Sequence, residues 1–400
     1  MKKYILMLSI LSMTVWACPV AADNMGDVNI NGFISQGFLY SDTYNYLASD
    51  TKSGSFEYNE AGICFSKQLN DKLHLGLQLF SRDLGDASNN KITLDWAYAD
   101  YRYKDWLGLR AGRIKLPFGL YNESRDMDML RTSIVLPQGI YTDLLRDLII
   151  AVNGAGVYGN VDLSVAGNLE YQLLAGAMNV DLDSGIGKYM EVFLNPMGAS
   201  IAGTVVNNKI YAGALRWEPP IVGLLFGYSF SKVGNLEIPI SLGSSIGSMA
   251  SSPMSQIFSV EYTWNNLVLT AEYFFSDSGD TSVQFPFFQF TRTVKQESYY
   301  VSAAYRFVDW FTLGAYYSEF YPDSDDKDGD NVSQEQYYHD AWEKDLALTF
   351  RFDINDNWIF KIEGHAVDGT ALVFRADNPK GDEDPGSRFY YGAAKLTVVF

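Results

Sequence analysis

Residues 390–400 read YYGAAKLTVVF, and two kinds of side chain alternate along them. Even-numbered positions carry apolar residues or glycine, whereas the odd-numbered positions include Lys395 and Thr397. A period of two is the spacing of a β-strand with one apolar and one polar face. Residues 161–173, VDLSVAGNLEYQL, repeat the pattern, with apolar residues or glycine at the odd positions and mostly polar residues between them. The two stretches predict an all-β protein.

The apolar faces of these strands are expected to point outward rather than into a core. Large aromatic residues collect near the strand ends, and the opposite faces are rich in glycine, serine and charged residues. This arrangement is typical of a transmembrane barrel, whose exterior meets lipid between two aromatic girdles and whose interior is wet. After residue 22, no stretch is long and apolar enough for a membrane-spanning helix.

The connections between strands predict a closed antiparallel β-barrel. Short polar turns, such as Gly159-Asn160 and Asn355-Asp356, alternate strictly with longer polar loops. Outer-membrane barrels have short periplasmic turns and long external loops, so both termini should be periplasmic. Closure gives every backbone amide a partner in hydrocarbon. Sixteen strands are predicted, near 28–41, 56–68, 73–82, 92–103, 107–115, 148–159, 161–177, 208–217, 221–231, 255–264, 267–276, 297–307, 310–321, 343–353, 357–368 and 387–400.

The first 22 residues have the layout of a secretory signal peptide. Two lysines precede an apolar run at 4–16, and small residues lead up to Ala22. Cleavage is expected after Ala22, which leaves 23–400 as the barrel. The alternative is a lipoprotein signal in which Cys18 carries the lipid. Both interpretations predict export, and the barrel pattern predicts the outer membrane of a Gram-negative bacterium.

The charge and the histidines exclude several functions. Acidic residues outnumber basic ones by 48 to 30, a formal net charge of −18, whereas nucleic-acid binding needs clustered basic residues. The three histidines belong to no Ser/His/Asp string, so no enzymatic activity and no cofactor are expected. Acidic residues at 323–335 resemble the spacing of a calcium loop, but a solvated acidic loop is preferred and no metal site is predicted.

The longest stretch without a predicted strand is 116–147, the third external loop. Its many apolar residues would be poorly placed in a loop surrounded by water. We therefore expect it to fold into the barrel and narrow the pore at mid-height. The alternative is an external loop packed against its neighbours. Charges beside a narrow passage act strongly on ions. The candidate constriction residues are Arg113, Lys115, Arg125, Asp126, Asp128 and Arg131.

Strand parity assigns a further set of basic residues to the inner wall of the barrel. Some of them are arginines between two aromatic residues just before a short turn, as in Tyr101-Arg102-Tyr103. Such arginines could form a positive ring near the periplasmic exit, or pair with acids and brace the wall, which is preferred. Acids on the inner faces are almost as numerous, so ion preference stays open. The basic wall residues are Arg102, Arg110, Arg216, Arg306, Arg351, Lys361 and Lys395.

One short motif resembles a known family. It consists of Gly112, Arg113, Lys115, Pro117, Phe118 and Gly119. This looks like a motif of the phosphate-selective porin family of Gram-negative outer membranes. The resemblance implies a sixteen-strand barrel, usually a homotrimer, whose third loop folds inward and whose basic residues select phosphate. The terminal Phe400 looks like the signal that the outer-membrane assembly machinery reads.

These features predict a porin, a water-filled channel for passive diffusion of small hydrophilic solutes and ions. Its expected partners are outer-membrane lipid, lipopolysaccharide, the solutes themselves and further copies of the chain. The alternative is an outer-membrane barrel that serves as an adhesin or structural surface protein. A barrel hydrolase is a weaker alternative, because no histidine faces lipid as a phospholipase would need.

Overall fold

The computed structural model describes residues 23–25, 28–48, 50–85, 87–178, 180–182, 184–206, 208–332 and 336–400. The predicted signal peptide, 1–22, lies outside these residues. Within them, sixteen long antiparallel strands share one sheet. They are β1 (Val28–Ser41), β2 (Asn59–Asn70), β3 (Leu73–Asp83), β4 (Thr93–Lys104), β5 (Leu107–Lys115), β6 (Ala151–Asp162), β7 (Asn168–Met178), β8 (Lys209–Glu218), β9 (Leu224–Val233), β10 (Met254–Trp264), β11 (Leu267–Asp277), β12 (Lys295–Val308), β13 (Phe311–Tyr321), β14 (Glu343–Asp353), β15 (Trp358–Gly369) and β16 (Arg388–Val399).

The sheet closes on itself because its last strand pairs with its first. β16 pairs with β1 from Val399 opposite Phe33 to Tyr391 opposite Ser41. On its other side β1 pairs with β2, and the remaining strands follow one another round the ring. The predicted closed sixteen-strand barrel is therefore confirmed. Closure gives each wall strand two neighbours, as a sheet in hydrocarbon requires.

The two faces of the wall differ as the alternation predicts. Outward side chains such as Ile34, Val301 and Leu346 are 57%, 55% and 55% exposed, whereas inward ones such as Ser35 and Asp345 are buried. An apolar exterior suits lipid, and the polar groups are kept for the interior. Aromatic side chains are exposed near the short turns, as a girdle requires: Tyr101, Tyr103, Trp106, Trp264, Tyr305, Phe307, Trp310 and Trp358.

The turn predicted at Gly159-Asn160 is wrong. β6 continues to Asp162, and the connection to β7 is a 3-10 turn at Ser164–Ala166. Left-handed backbone at Ser164 (φ 58°) and Gly167 (φ 89°) makes the turn, and Asp162 Oδ1 accepts the Ser164 N–H at 2.7 Å. Apolar residues continue at every second position through this turn, so the alternation alone could not locate it.

The long loops contain more regular structure than the sequence predicts. In the part of these loops that the structure describes there are two α-helices, α1 (Arg146–Ile149) and α2 (Gly185–Leu194). Five short strands from three loops form a second sheet, in the order Phe288–Arg292, Thr281–Phe285, Ser245–Ser251, Leu236–Leu242 and Ala199–Ile201. Among the described residues, no helix has both the length and the hydropathy needed to cross a membrane.

Candidate functional site

The segment between β5 and β6, residues 116–150 and named L3 below, reaches strands far from its ends. Arg351 of β14 donates to the carbonyl of Met129 at 2.8 Å. Lys361 of β15 donates to the carbonyl of Asp128 at 2.7 Å. In the ring of strands, β14 and β15 lie about half-way round from β5. These contacts therefore join opposite sides of the barrel.

The first part of L3 packs against β9 to β12. Glu272 of β11 accepts the Leu120 N–H at 2.9 Å and the hydroxyl hydrogens of Tyr141, Ser259 and Tyr300. Four donors satisfy a carboxylate that would otherwise be costly to bury. An apolar cluster of L3 and wall residues covers it, which removes the apolar part of L3 from water. The cluster includes Leu116, Phe118, Leu136, Ile140, Ile257 and Phe274.

At the root of L3, four charged side chains are buried together. Asp126 accepts from Lys115 Nζ at 2.8 Å and from the guanidinium of Arg146, which also binds Asp95 of β4 at 2.8 Å. Burial alone would raise the pKa of Asp126, but the charges of Arg146 and Lys115 outweigh burial and hold that pKa well below its usual range. The charges of Lys115 and Arg146 are thereby neutralised inside the protein.

The tip of L3 is bound to β15 and β16. The carboxylate of Asp128, which is 0% exposed, lies 2.9 Å from Lys361 Nζ and 3.8 Å from Lys395 Nζ. Thr397 Oγ1 donates to it at 2.8 Å. Burial opposes ionisation of Asp128, but the charges of Lys361, Lys395 and Arg131 outweigh it and hold the pKa well below the usual range. The tip is therefore held by an Asp128 carboxylate that lies beside two lysine side chains.

Glu363 of β15 binds the chain just beyond the tip. Its Oε2 accepts the Ile134 N–H and its Oε1 accepts the Val135 N–H, both at 2.8 Å. His365 Nε2 lies 3.0 Å from the same Oε1, so Glu363 connects L3 with His365. One wall carboxylate thus links L3 to a buried histidine.

A third group of charges surrounds Asp143 of L3. Arg125 Nη2 binds the Asp143 carboxylate at 3.0 Å, and Arg82 of β3 donates to the Asp143 carbonyl at 3.0 Å. Burial would raise the pKa of Asp143, but Arg125, Arg82 and Arg131 lower it below its usual range. Among the described residues, Arg82 Nε, Arg125 Nη1 and Arg131 Nε are buried without a hydrogen-bond partner. Water or an ion usually satisfies such donors.

Each of the other predicted cations has a defined place. Arg102 is exposed at the short-turn end of β4. Arg113 donates to the backbone carbonyl of Asp95 at 2.9 Å. The remaining cations lie beside acids: Arg110 and Asp100 (2.6 Å), Arg216 and Glu123 (2.9 Å), Arg306 and Asp353 (3.7 Å), Arg351 and Asp353 (2.8 Å), Lys395 and Glu60 (2.5 Å).

Sequence reasoning did not select Glu272, Glu363 or Asp95, although all three bind L3 or the charges at its root. Parity does place Glu272 and Glu363 on inner faces, but it does not say which inner residue meets a loop from elsewhere in the chain. Asp95 is hidden for another reason. The pairing of β3 with β4 shifts register between Gln78 and Leu79, so parity fails in that half of β4.

Comparison with known proteins agrees with the barrel architecture. A family model described as Gram-negative porin matches residues 8–341. An anion-selective porin from Comamonas acidovorans has a TM-score of 0.54 and 11% identity, with 93% of this chain and 99% of that one covered. OmpF of Salmonella typhi, in complex with daunomycin, has a TM-score of 0.55 and 16% identity, with 93% of this chain and 97% of that one covered. In vitro folded OmpT of Vibrio cholerae, in its trimer form, has a TM-score of 0.53 and 11% identity, with 93% of this chain and 99% of that one covered.

At these identities the solved structures establish likeness of fold alone. No curated protein sequence matches the chain. The closed barrel, with its apolar exterior and polar interior, defines an outer-membrane channel for small solutes. More particularly, the chain belongs to the Gram-negative porin family, since the family model covers most of its length.

Proposed function

We propose that L3 is the constriction of this porin and that small hydrophilic solutes diffuse between L3 and the barrel wall. The observation that carries the proposal is the buried pair of Asp128 with Lys361, at 2.9 Å, which ties the tip of L3 to the wall opposite its root. A segment held at root and tip sets the width of the passage. Low-dielectric walls then strengthen the effect of nearby charges on a passing ion.

The proposal does not include enzymatic activity. His339 lies 2.6 Å from Thr370 Oγ1 and 2.9 Å from Asp384 Oδ1, an arrangement that resembles a hydrolytic triad. However, Thr370 is 1% exposed, and its hydroxyl donates to Asp340 at 2.5 Å. A hydroxyl that no substrate reaches, and whose proton is already donated, is a poor nucleophile. The cluster instead joins two external loops.

For the transported ions we propose a preference for small anions, phosphate among them. The support is the charge around Asp143, where the guanidinium groups of Arg82, Arg125 and Arg131 outnumber the one carboxylate whose pKa they lower. An excess of positive charge beside a narrow passage attracts anions. The motif at 112–119, similar to that of phosphate-selective porins, and the fold shared with an anion-selective porin point the same way.

For assembly we propose export by a signal peptide at 1–22, a barrel at 23–400 and a homotrimer in contact with lipid and lipopolysaccharide. The trimer is supported by the fold shared with OmpT of Vibrio cholerae in its trimer form. We also propose that Phe400, the last residue of the closing strand region, is read by the outer-membrane assembly machinery.

Deletion of residues 122–135 tests whether L3 is the constriction. The expected result is a larger single-channel conductance in planar bilayers, with a barrel that keeps its heat-modifiable mobility on gels. A matched control deletes 325–331 from the acidic loop between β13 and β14 and should leave conductance unchanged. A folded 122–135 deletion with the conductance of the parent protein would show that L3 does not set the pore.

Reversal potentials under a salt gradient test the ion preference. Arg82→Gln should shift selectivity towards cations, whereas Arg292→Gln removes the same charge from an exposed pair with Asp323 and should not. Chloride and phosphate salts are compared to separate a general anion preference from phosphate selectivity. Cation selectivity in the parent protein would refute the anion proposal. Absence of any current from the folded barrel would favour the adhesin alternative.

A further inference from the structure

His365 of β15 is buried between two carboxylates. Its Nδ1 lies 3.0 Å and 2.9 Å from the two oxygens of Asp345, and its Nε2 lies 3.0 Å from Glu363 Oε1. The side chains of His365 and Glu363 are both 0% exposed. No solvent therefore separates the three groups, which are named the acid–histidine triplet below.

The geometry determines where protons must be. A carboxylate oxygen and an unprotonated ring nitrogen both present lone pairs, and they repel at this distance without a proton between them. One proton is therefore needed between Nδ1 and Asp345, and a second between Nε2 and Glu363. A neutral imidazole supplies only one of them. The triplet of Asp345, His365 and Glu363 must bind one extra proton to keep the observed contacts.

That extra proton is connected directly to L3. The Glu363 carboxylate also accepts the backbone N–H groups of Ile134 and Val135 at 2.8 Å, and the hydroxyl hydrogen of Thr349. The orientation of Glu363 is thus shared between the tip of L3 and His365. Loss of that proton would leave the buried Glu363 carboxylate beside an unprotonated ring nitrogen. Repulsion between their lone pairs would then disturb the orientation in which Glu363 accepts the two amides of L3.

Other groups around the triplet come from four strands and the first long loop. The Tyr316 hydroxyl of β13 donates to Asp345 at 3.0 Å, and the Tyr391 ring of β16 stacks on the imidazole with centroids 3.8 Å apart. Tyr46 of the first long loop packs on Tyr391 and donates to Glu343 of β14 at 2.5 Å. Lys361, which shares the inner face of β15 with Glu363 and His365, is already paired with Asp128. The extra negative charge left by deprotonation would thus have no free cation among these groups.

We propose that Glu363 and His365 are positioning residues for the constriction, and that one proton on the acid–histidine triplet keeps the tip of L3 docked. The inference rests on the proposed role of L3. The docked state holds the extra proton, so L3 is held at lower pH and released as pH rises and that proton is lost.

The test is single-channel conductance from neutral to alkaline pH. The parent porin should show a rise that follows one proton, spread over about two pH units. His365→Gln cannot titrate, so its conductance should lack the rise. His74→Gln, a matched change of a histidine on β3, should keep it. Glu363→Gln should raise conductance already at neutral pH. A His365→Gln channel with the parent pH profile would overturn the inference.

Hydrogen exchange of the unmutated porin gives a second readout that needs no variant to fold. Protection of the Ile134 and Val135 amides, corrected for base catalysis, should fall over the same pH range as the conductance rises. Constant protection across that range would also overturn the inference. The 122–135 deletion separates the two proposals. If the deletion widens the pore but His365→Gln keeps the parent profile, L3 remains the constriction and only the proton-dependent positioning fails.

Discussion

Single residues hold L3 mainly through charges that are removed from water. Lys361, Asp128 and Asp126 are almost fully buried, and each of them contacts an opposite charge. Such pairs add little net stability compared with apolar residues of the same volume, but a missing partner is very costly. The buried charges therefore favour one position of L3 over others, because each cation fits only where its carboxylate lies.

Replacing Asp128 with Asn should release the tip of L3 and destabilise the barrel. Lys361 would then have no exposure and would lack its carboxylate partner, at an expected cost of about 3–5 kcal/mol. Urea unfolding of the purified porin in micelles measures the loss. The double variant Asp128→Asn with Lys361→Met should recover part of it, since no lone charge stays buried. A double variant less stable than Asp128→Asn alone would refute the pairing.

The pKa shifts of L3 predict its behaviour in acid. Asp126 and Asp128 have folded-state pKa values below their usual range, so their contribution to stability is present above the unfolded value and is lost only as pH falls through the lowered one. We therefore expect the conductance and the urea midpoint to change little at pH values just below about 3.9, the usual aspartate pKa. A sharp rise of conductance at that pH would contradict these shifts.

At the scale of elements, the root of L3 depends on an unusual glycine in β5. Gly112 has a φ of 136°, and a Cβ built on it would lie 2.3 Å from the carbonyl oxygen of Ala97 on the neighbouring strand. A side chain there would push β5 away from β4. Lys115, three residues further along, would then lose its place beside Asp126. The glycine of the family-like motif thus has a physical role in placing L3.

Gly112→Ala should weaken the barrel at the root of L3. Strain at such a backbone position costs about 1–3 kcal/mol, and the displaced strand should also increase conductance noise. Gly364→Ala is the matched control, because a Cβ on this outward glycine of β15 meets nothing within 4 Å. Thermal unfolding on semi-native gels compares the two variants. Equal melting of Gly112→Ala and Gly364→Ala would exclude a special role for Gly112.

The separation of two residues along the chain decides whether the sequence can predict their interaction. Alternation is local, so the sixteen strands and the inward direction of Lys361 follow from the sequence alone. Lys361 binds the carbonyl of Asp128, which lies 233 residues away, and no local pattern connects the two. The turn at Ser164–Ala166 was misplaced because its polar and apolar residues keep the strand period. That turn depends on positive φ values at Ser164 and Gly167, which a hydropathy pattern does not show.

At the scale of the whole molecule, the barrel depends on the joint between its two ends. The N–H groups of Gly32 and Phe400 each donate to the carbonyl of the other residue, at 2.9 Å and 3.0 Å. β1 also meets β16 along nine residue pairs, ending at Ser41. This joint unites the first and last of the sixteen barrel strands, so it can form only after the last strand is present.

Removal of Phe400 should impair assembly in cells more than folding in micelles. Its two backbone hydrogen bonds are a small part of the joint, so refolded protein should regain heat-modifiable mobility. Insertion into the outer membrane should fall strongly if the assembly machinery reads the terminal aromatic residue. Phe400→Tyr is the control that keeps an aromatic end. Normal insertion without Phe400 would show that the residue is not read.

The second sheet forms part of the long-loop surface, which an antibody meets from outside the cell. Its strands come from three loops, so Ala199–Ile201 and Phe288–Arg292 contribute to one folded surface although they lie far apart in the chain. An epitope that spans this sheet is therefore discontinuous, and a peptide copied from one loop lacks the strands of the other two. The outermost strand, Phe288–Arg292, is exposed along its whole length and is the part that a linear peptide imitates best. Immunisation against this face accordingly needs the folded barrel as antigen.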